Sequence, residues 1–378
     1  MLKFFSVIVC IIISGNFLYA KPVKSKDADS PWGVIDVWPY GASPYNRPDQ
    51  WRPDRLRDLY ARGLDSAKSY GFTWNRPNCA PYNVLPGTTH FRTDMMDSLV
   101  VFMQERNLNL LICTGPPNWA PWRDDTLKCK KYWQNTIERY DGDGNNDLPG
   151  LTKPIKSWEI CNEPEYGGYG SIDDFARYAR ISYQAIKSAD LSAQVIGPVM
   201  GATGGDAGWR VNAIYTISGE DSALLRMVLE RCGNYFDVIS LHIYTYGDFS
   251  YLDTKIKPVL DKYVPGKPLW ITEIGCNRTH PVISLPDSTI IDAYSDTITE
   301  AQQAEYLLKI CEAKEQRVWL NKIFIFTLQD FGAYKYADSL RTSTDYWGMM
   351  KEDFSHRPAL DSVRNFIATH PDTGKKRR

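Results

Sequence analysis

Two short apolar runs end in glutamates just before loops: Trp158-Glu159-Ile160-Cys161-Asn162-Glu163-Pro164-Glu165 and Trp270-Ile271-Thr272-Glu273-Ile274-Gly275. A carboxylate at the end of a buried strand is rarely a packing element, because glutamate is depleted in strands and burying a charge without a partner is costly. Two such ends imply a carboxylate pair. When mutual repulsion keeps one member protonated and the other ionised, the pair is the equipment of glycosidic-bond cleavage.

The elements that must position these groups follow from hydrophobic patterning. Eight short apolar runs, Gly33 to Trp38, Phe72 to Arg76, Leu108 to Thr114, Ser157 to Asn162, Gln194 to Pro198, Val238 to Tyr244, Leu269 to Glu273 and Ile323 to Leu328, read as strands. Amphipathic stretches follow them: Pro53 to Tyr70, Thr93 to Asn107, Leu127 to Tyr140, Ser171 to Ala189, Ser222 to Arg231, Tyr251 to Val264, Thr299 to Trp319 and Pro358 to Thr369. Their apolar residues recur at three- and four-residue intervals, as helices require. Strict alternation of eight strands and eight helices predicts parallel strands joined by crossovers and a closed (β/α)8 TIM barrel. A doubly wound sheet would place a glycine-rich phosphate turn after an early strand, and none follows Gly33 to Trp38.

Residues 1–20 carry Lys3, an apolar run from Phe4 to Ile13 and the ending Leu18-Tyr19-Ala20, which reads as a secretory signal peptide. Residues 21–370 are then expected to form one catalytic domain and 371–378, ending Lys375-Lys376-Arg377-Arg378, a basic tail. The expected location is secreted or periplasmic. A net charge of −1 invites neither nucleic acid nor an anionic membrane. Beyond the leader stand Cys79, Cys113, Cys129, Cys161, Cys232, Cys276 and Cys311, an odd number without a CxxC or a Cys/His cluster. That excludes a disulfide scaffold and a zinc site; Cys79 with Cys129 is one pairing the count allows.

In such barrels the chemistry sits at the carboxyl ends of the strands, so Glu163 follows strand four and Glu273 ends strand seven, facing each other across the mouth. Asn162-Glu163-Pro164, His242-Ile243-Tyr244 on strand six and Trp270-Ile271-Thr272-Glu273 on strand seven resemble the clan-A glycoside hydrolases, the retaining β-glycosidases of the family 39 and family 5 type. The similarity runs in element order to Trp347-Gly348-Met349-Met350 and Arg357-Pro358-Ala359. It implies Glu163 as acid/base, Glu273 as nucleophile, Asn162 on the sugar 2-hydroxyl, and His242 and Tyr244 lining the cleaved subsite, with Tyr244 steadying the nucleophile. Chemistry assigns the same roles: the acid must be neutral, which a neighbouring negative Glu273 favours, and hydrogen bonds from Tyr244 and Arg76 favour an ionised nucleophile.

The sequence departs from the clan at strand eight, where a tryptophan commonly floors the cleaved subsite. Here the chain reads Thr327-Leu328-Gln329-Asp330-Phe331, leaving Phe331 or Trp347 to substitute. Other rings after strand ends, Trp38, Tyr40, Trp74, Trp119, Trp122, Tyr166, Tyr246 and Phe249, are candidates for stacking on sugar faces. The proline-stiffened loop from Gly115 to Trp122 is the foremost. Glu159 shares a strand face with Glu163 and needs a cationic partner, for which Arg76 is the candidate, while Glu165 is expected to face solvent.

Asp141, Asp143, Asn145 and Asp147 place oxygens at alternate positions, as the first half of a calcium loop does. Position twelve is Thr152 and Asn146 replaces the usual glycine, which excludes an EF-hand and leaves a structural calcium or a polar Asx-rich turn. No cofactor is otherwise required. Asn277-Arg278-Thr279 matches a glycosylation acceptor by chance, since a glycan there would crowd the cleft. The expected protein is a monomeric hydrolase of β-linked poly- or oligosaccharide, endo-acting because the loops after strands three, four and seven are long. The alternatives are a carbohydrate-binding protein on an inactive barrel and a transglycosylase using the same ester.

Overall fold

The structure is a computed structural model that describes residues 30–35, 56–77, 94–114, 126–166, 169–201, 222–246, 249–276, 291–292, 298–330 and 347–370. The expected leader, the basic tail and the acceptor at Asn277 lie outside these residues. Eight strands alternate with eight helices: β1 Trp32–Ile35, α1 Leu56–Ser69, β2 Trp74–Asn75, α2 Asp94–Gln104, β3 Asn109–Cys113, α3 Thr126–Tyr140, β4 Ser157–Glu159, α4 Ile172–Ala189, β5 Gln194–Met200, α5 Ala223–Cys232, β6 Val238–Ile243, α6 Lys257–Tyr263, β7 Leu269–Ile274, α7 Glu300–Gln316, β8 Leu320–Phe326 and α8 Pro358–Thr369. Every neighbouring pair of barrel strands is parallel, and β1 pairs with both β2 and β8, closing the (β/α)8 barrel. A two-residue strand, Thr245–Tyr246, leaves β6 and pairs antiparallel with Ile291–Asp292.

Closure divides the core. Seven of the eight strands contribute Ile35, Trp74, Leu111, Ile196, Val238, Trp270 and Phe324 to one buried cluster. Trp74 meets Trp270 edge-on at 5.6 Å, and the Lys322 ammonium sits 4.6 Å from the Trp74 ring centre while donating to the Ser30 carbonyl. Trp74 is therefore a barrel plug and not a sugar platform: it points into the barrel interior, packed against Trp270 and Phe324. Phe249, the other misassigned ring, is buried against Tyr306 of α7.

Local chemistry starts the outer helices where the patterning placed them. Ser171 caps α4 by accepting from the Asp174 N–H, while the Asp174 carboxylate reaches back to the Ser171 N–H. Thr299 and Gln302 repeat this box at α7. The sixth helix is shorter than its periodicity predicts. Pro258 supplies no backbone N–H, and the chain enters α6 through a π-turn, Leu252–Ile256.

The six described cysteines are buried, and none is in a disulfide. Cys129, the described half of the pairing that the count allows, is in no disulfide, and burial pushes its thiol up to about 12. Cys79 lies outside the described residues.

Candidate active site

Strand ends β2, β4, β6 and β7 bring six of the expected residues, Arg76, Asn162, Glu163, His242, Tyr244 and Glu273, into one hydrogen-bonded set. Arg76, fully buried at the end of β2, donates from Nε to Glu159 Oε2 at 2.5 Å, from Nη1 to Glu273 Oε1 at 2.6 Å and from Nη2 to Asn162 Oδ1 at 2.8 Å. Both uses foreseen for this arginine are realised at once. Its planar fork lets one cation satisfy a structural carboxylate and hold the candidate nucleophile. Burial disfavours the charged guanidinium, but Glu159 foremost, with Glu273, outweighs it and keeps Arg76 ionised.

Glu273 occupies the fifth position of β7 opposite His242 of β6, in register despite a bulge between Leu241 and His242. Its second oxygen, Oε2, accepts from the Tyr244 hydroxyl and lies 3.4 Å from His242 Nδ1. Burial alone would raise the Glu273 pKa. His242, Arg76 and the Tyr244 hydrogen bond together pull it below the ordinary carboxylate range. Glu273 thus stands as an anion with both oxygens oriented.

Glu163 lies beyond the end of β4, where the chain leaves the strand with Glu163 at φ +44°. Strand alternation would send Asn162 and Glu163 to opposite faces; the left-handed turn presents both to the cleft. Glu163 Oε1 is 2.9 Å from His242 Nδ1, and carboxylate oxygens of Glu163 and Glu273 and a ring nitrogen of His242 lie within 4.8 Å of one another. Burial works against a charged His242, but Glu273 and then Glu163 outweigh it and raise its pKa. Although such a triad could hold a cation, the Arg76 guanidinium already occupies Glu273 Oε1 and repels one.

Three rings pack beside Glu273. Tyr244 and Trp347 meet edge-on at 5.1 Å, and Phe326 meets Trp347 at 5.4 Å and Tyr244 at 6.1 Å. Trp347 is buried, while Phe326, at the end of β8, is half-buried. The ring that strand eight offers is Phe326, which sequence reasoning passed over by looking one turn later; Phe331 lies outside the described residues. The apolar run ending in an aromatic, Ile323-Phe324-Ile325-Phe326, was the signal available. Gly275 makes the packing possible, since a β-carbon there would fall 2.1 Å from the Phe326 carbonyl oxygen and 3.0 Å from Trp347. Gln303 of α7 ties the same corner together, donating to the Cys276 carbonyl at 3.1 Å and the Trp347 carbonyl at 3.4 Å.

Other expectations fall differently. Glu165 does not face solvent: it is fully buried, with Oε1 accepting from the Gly201 N–H at 2.5 Å, because the turn Pro164–Tyr166 folds it inward. Trp38, Tyr40, Trp119 and Trp122 lie outside the described residues, as do the side chains of Tyr166 and Tyr246. The aspartate loop sits between α3 and β4, at the barrel end opposite the cleft. Oxygens of Asp141, Asp143 and Asp147 converge within 4.8 Å, yet they also accept from the loop's own amides: Asp147 from Gly142 and Gly144, Asp143 from Asn145, and Asp141 from Asp143. The loop thus has the hydrogen bonds of an Asx-rich turn and the converging oxygens of an ion site, and carries both readings.

Comparison with known proteins agrees with this geometry. Among solved structures, the fold is similar to a family 39 glycoside hydrolase from the gut symbiont Bacteroides cellulosilyticus WH2, with a TM-score of 0.60, 18% identity, 89% of this chain covered and 63% of that one. It is similar to a family 39 β-xylosidase from Caulobacter crescentus at TM-score 0.60 and 14% identity, covering 93% and 73% of the two chains. A family 5, subfamily 18 structure from Streptomyces cattleya in complex with GlcNAc gives 0.59 and 13%, covering 90% and 80%. The chain spans less than two thirds of the length of the first of these, and at such identities the likeness carries the fold. No curated protein matches the chain. Residues 160–351, which include both Glu163 and Glu273, match the model of the glycosyl hydrolase catalytic core. With the barrel and the carboxylate pair at the ends of its fourth and seventh strands, the chain belongs to that family, the glycosyl hydrolase catalytic core.

Proposed function

We propose that the protein cleaves a β-linked poly- or oligosaccharide with retention of configuration, Glu163 serving as acid/base and Glu273 as nucleophile. The observation that carries this reading is the approach of the two carboxylates, with oxygens within 4.8 Å. Retaining enzymes hold the pair about 5–5.5 Å apart, whereas inverting ones leave room for a water at about 6.5–9.5 Å. Glu273 attacks the anomeric carbon as Glu163 gives its proton to the departing glycosidic oxygen; the C–O bond breaks and a glycosyl ester forms. Glu163, now a base, takes a proton from water, which attacks the same carbon and frees Glu273.

The ionised, doubly hydrogen-bonded Glu273 fits the nucleophile, and Asn162, held by Arg76, is placed to meet the sugar beside it. His242 and Tyr244 line the same subsite, and Phe326, backed by Trp347, offers it an apolar surface. On this reading the enzyme is a secreted or periplasmic monomer that needs no cofactor and acts within a chain.

Glu163→Ala and Glu273→Ala, assayed on an activated aryl β-glycoside, test the assignment. Loss of the acid/base costs about 10²–10⁴ on substrates needing protonation. Azide is expected to restore turnover in both variants, giving the β-azide with Glu163→Ala and the α-azide with Glu273→Ala. Full activity in either variant would end the assignment. Product sizing on a panel of xylan, mannan, glucan and galactan identifies the sugar and separates endo from exo action.

A further inference from the structure

We propose that Glu165 is a positioning residue for the acid/base: by accepting the Gly201 N–H it draws the end of β5 against the carboxyl group of Glu163 and fixes that group's orientation. This rests on the reading of Glu163 above.

Glu165 is fully buried two residues beyond Glu163, and a carboxyl group there would be costly without a task. Its Oε1 holds the Gly201 amide at 2.5 Å. Gly201, one residue past the end of β5, lies beside the acid/base: a β-carbon at this position would lie 2.6 Å from Glu163 Oε1, 3.1 Å from Glu163 Cδ and 3.4 Å from Glu165 Oε1. A methyl group there would have to push the Glu163 carboxyl group aside. Glu163 Oε1 is thus confined by Gly201 and by His242 Nδ1 at 2.9 Å, so its side chain has little freedom to turn away.

The backbone around this contact is held in unfavourable conformations. Glu163 has φ +44° and Val199 φ +58°, the latter rare for a β-branched residue. Such conformations persist only where surrounding contacts over-determine them. Three bonds do so: the Glu163 N–H to the Val199 carbonyl at 3.0 Å, the Val199 N–H to Ser240 Oγ at 3.1 Å, and the Gly201 N–H to Glu165. Of these, the last comes from a side chain carried by the acid/base loop itself. It couples the ends of β4 and β5 where a proton must be delivered along one direction, and misplacement of a catalytic group by an ångström costs about 10²-fold.

The consequence is specific to the step that needs the proton. With aryl β-glycosides of a sugar that the wild type turns over, kcat/KM reports formation of the glycosyl ester. A dinitrophenyl leaving group departs without protonation and a plain phenyl group does not. Glu165→Ala is expected to lower kcat/KM by about 10- to 100-fold on the phenyl glycoside, a part of what a general acid contributes, and to leave the dinitrophenyl glycoside nearly unchanged. Glu165→Gln keeps an oxygen acceptor for Gly201 and is expected to restore the phenyl activity. Gly201→Ala, which crowds Glu163 directly, should reproduce the selective loss. An equal fall on both substrates, no fall on either, or a Glu165→Gln variant as impaired as Glu165→Ala would overturn the proposal. Glu163→Ala, run in parallel, separates the two questions: if it shows no leaving-group selectivity, the acid/base assignment itself has failed.

Discussion

Arg76 carries more of the site than any other single residue. It is one buried cation shared by Glu159 and Glu273, and removing it would leave two carboxylates buried without their charge partner. Arg76→Met is expected to cost about 3–5 kcal/mol of stability, read by urea unfolding. Tyr244→Phe is milder and speaks to chemistry. The phenol stabilises the ionised form of Glu273, so its loss raises the pKa of that carboxyl group. A hydrogen bond to a charged group is worth about 1.5–3 kcal/mol, or roughly 1–2 pH units. The acidic limb of the kcat/KM profile is therefore expected to move up by about 1 unit, and an unmoved limb would remove Tyr244 from this role. The sign for folding follows the same shift. Because the Glu273 pKa is depressed, its contribution is present above the unfolded carboxylate value and is lost as pH falls through the folded one.

Strand and helix ends, more than their interiors, place the functional groups. β4 stops at Glu159, and the irregular stretch beyond it lets Asn162 and Glu163 face one cleft. Downstream, the capping box at Ser171 fixes where the loop ends and α4 begins. Ser171→Ala is expected to lose about 1 kcal/mol of stability while kcat/KM stays unchanged, since the cap touches neither carboxylate. A fall in kcat/KM would mean that the helix start also sets the position of Glu163. At the other side of the barrel, Arg357 binds Asp330 and the Gly348 carbonyl, and Gln303 binds the Cys276 and Trp347 carbonyls, so helices α7 and α8 hold the aromatic corner behind Glu273.

For the molecule as a whole, catalysis and folding load opposite ends of the barrel. The cleft end concentrates buried charge, whereas Trp74, Trp270 and Phe324 with Lys322 fill the interior below it. The aspartate loop lies at the far end. There burial first, then crowding by Asp143, Glu138 and Asp147, pushes Asp141 up to about 6. Its folded pKa exceeds the unfolded value of about 3.9, so ionisation is disfavoured in the folded state and stability falls as pH rises from about 4 to about 6. With a chelator present, Asp141→Asn is expected to melt above the wild type at pH 7 and alongside it at pH 4. A wild-type melting temperature that rises with added calcium, and a variant that ignores it, would instead identify the loop as an ion site.

Element order, barrel closure and the two glutamates were legible in the sequence, because hydrophobic periodicity and a polar residue at the end of an apolar run are local signals. So was the need of Glu159 for a cation, since the period of two turned it inward. The fate of Glu165 was not legible: whether an acid beyond a strand faces water or folds under its own loop depends on a backbone amide thirty-odd residues away at Gly201. The same holds for Phe326, whose role comes from closure bringing β8 beside Tyr244 and Trp347, and for Trp74, whose inward direction depends on where β2 begins. Sequence alone determined which chemistry the chain carries, because that resides in residue types at strand ends; tertiary structure decided which side chains meet, because distance and burial are properties of the closed barrel.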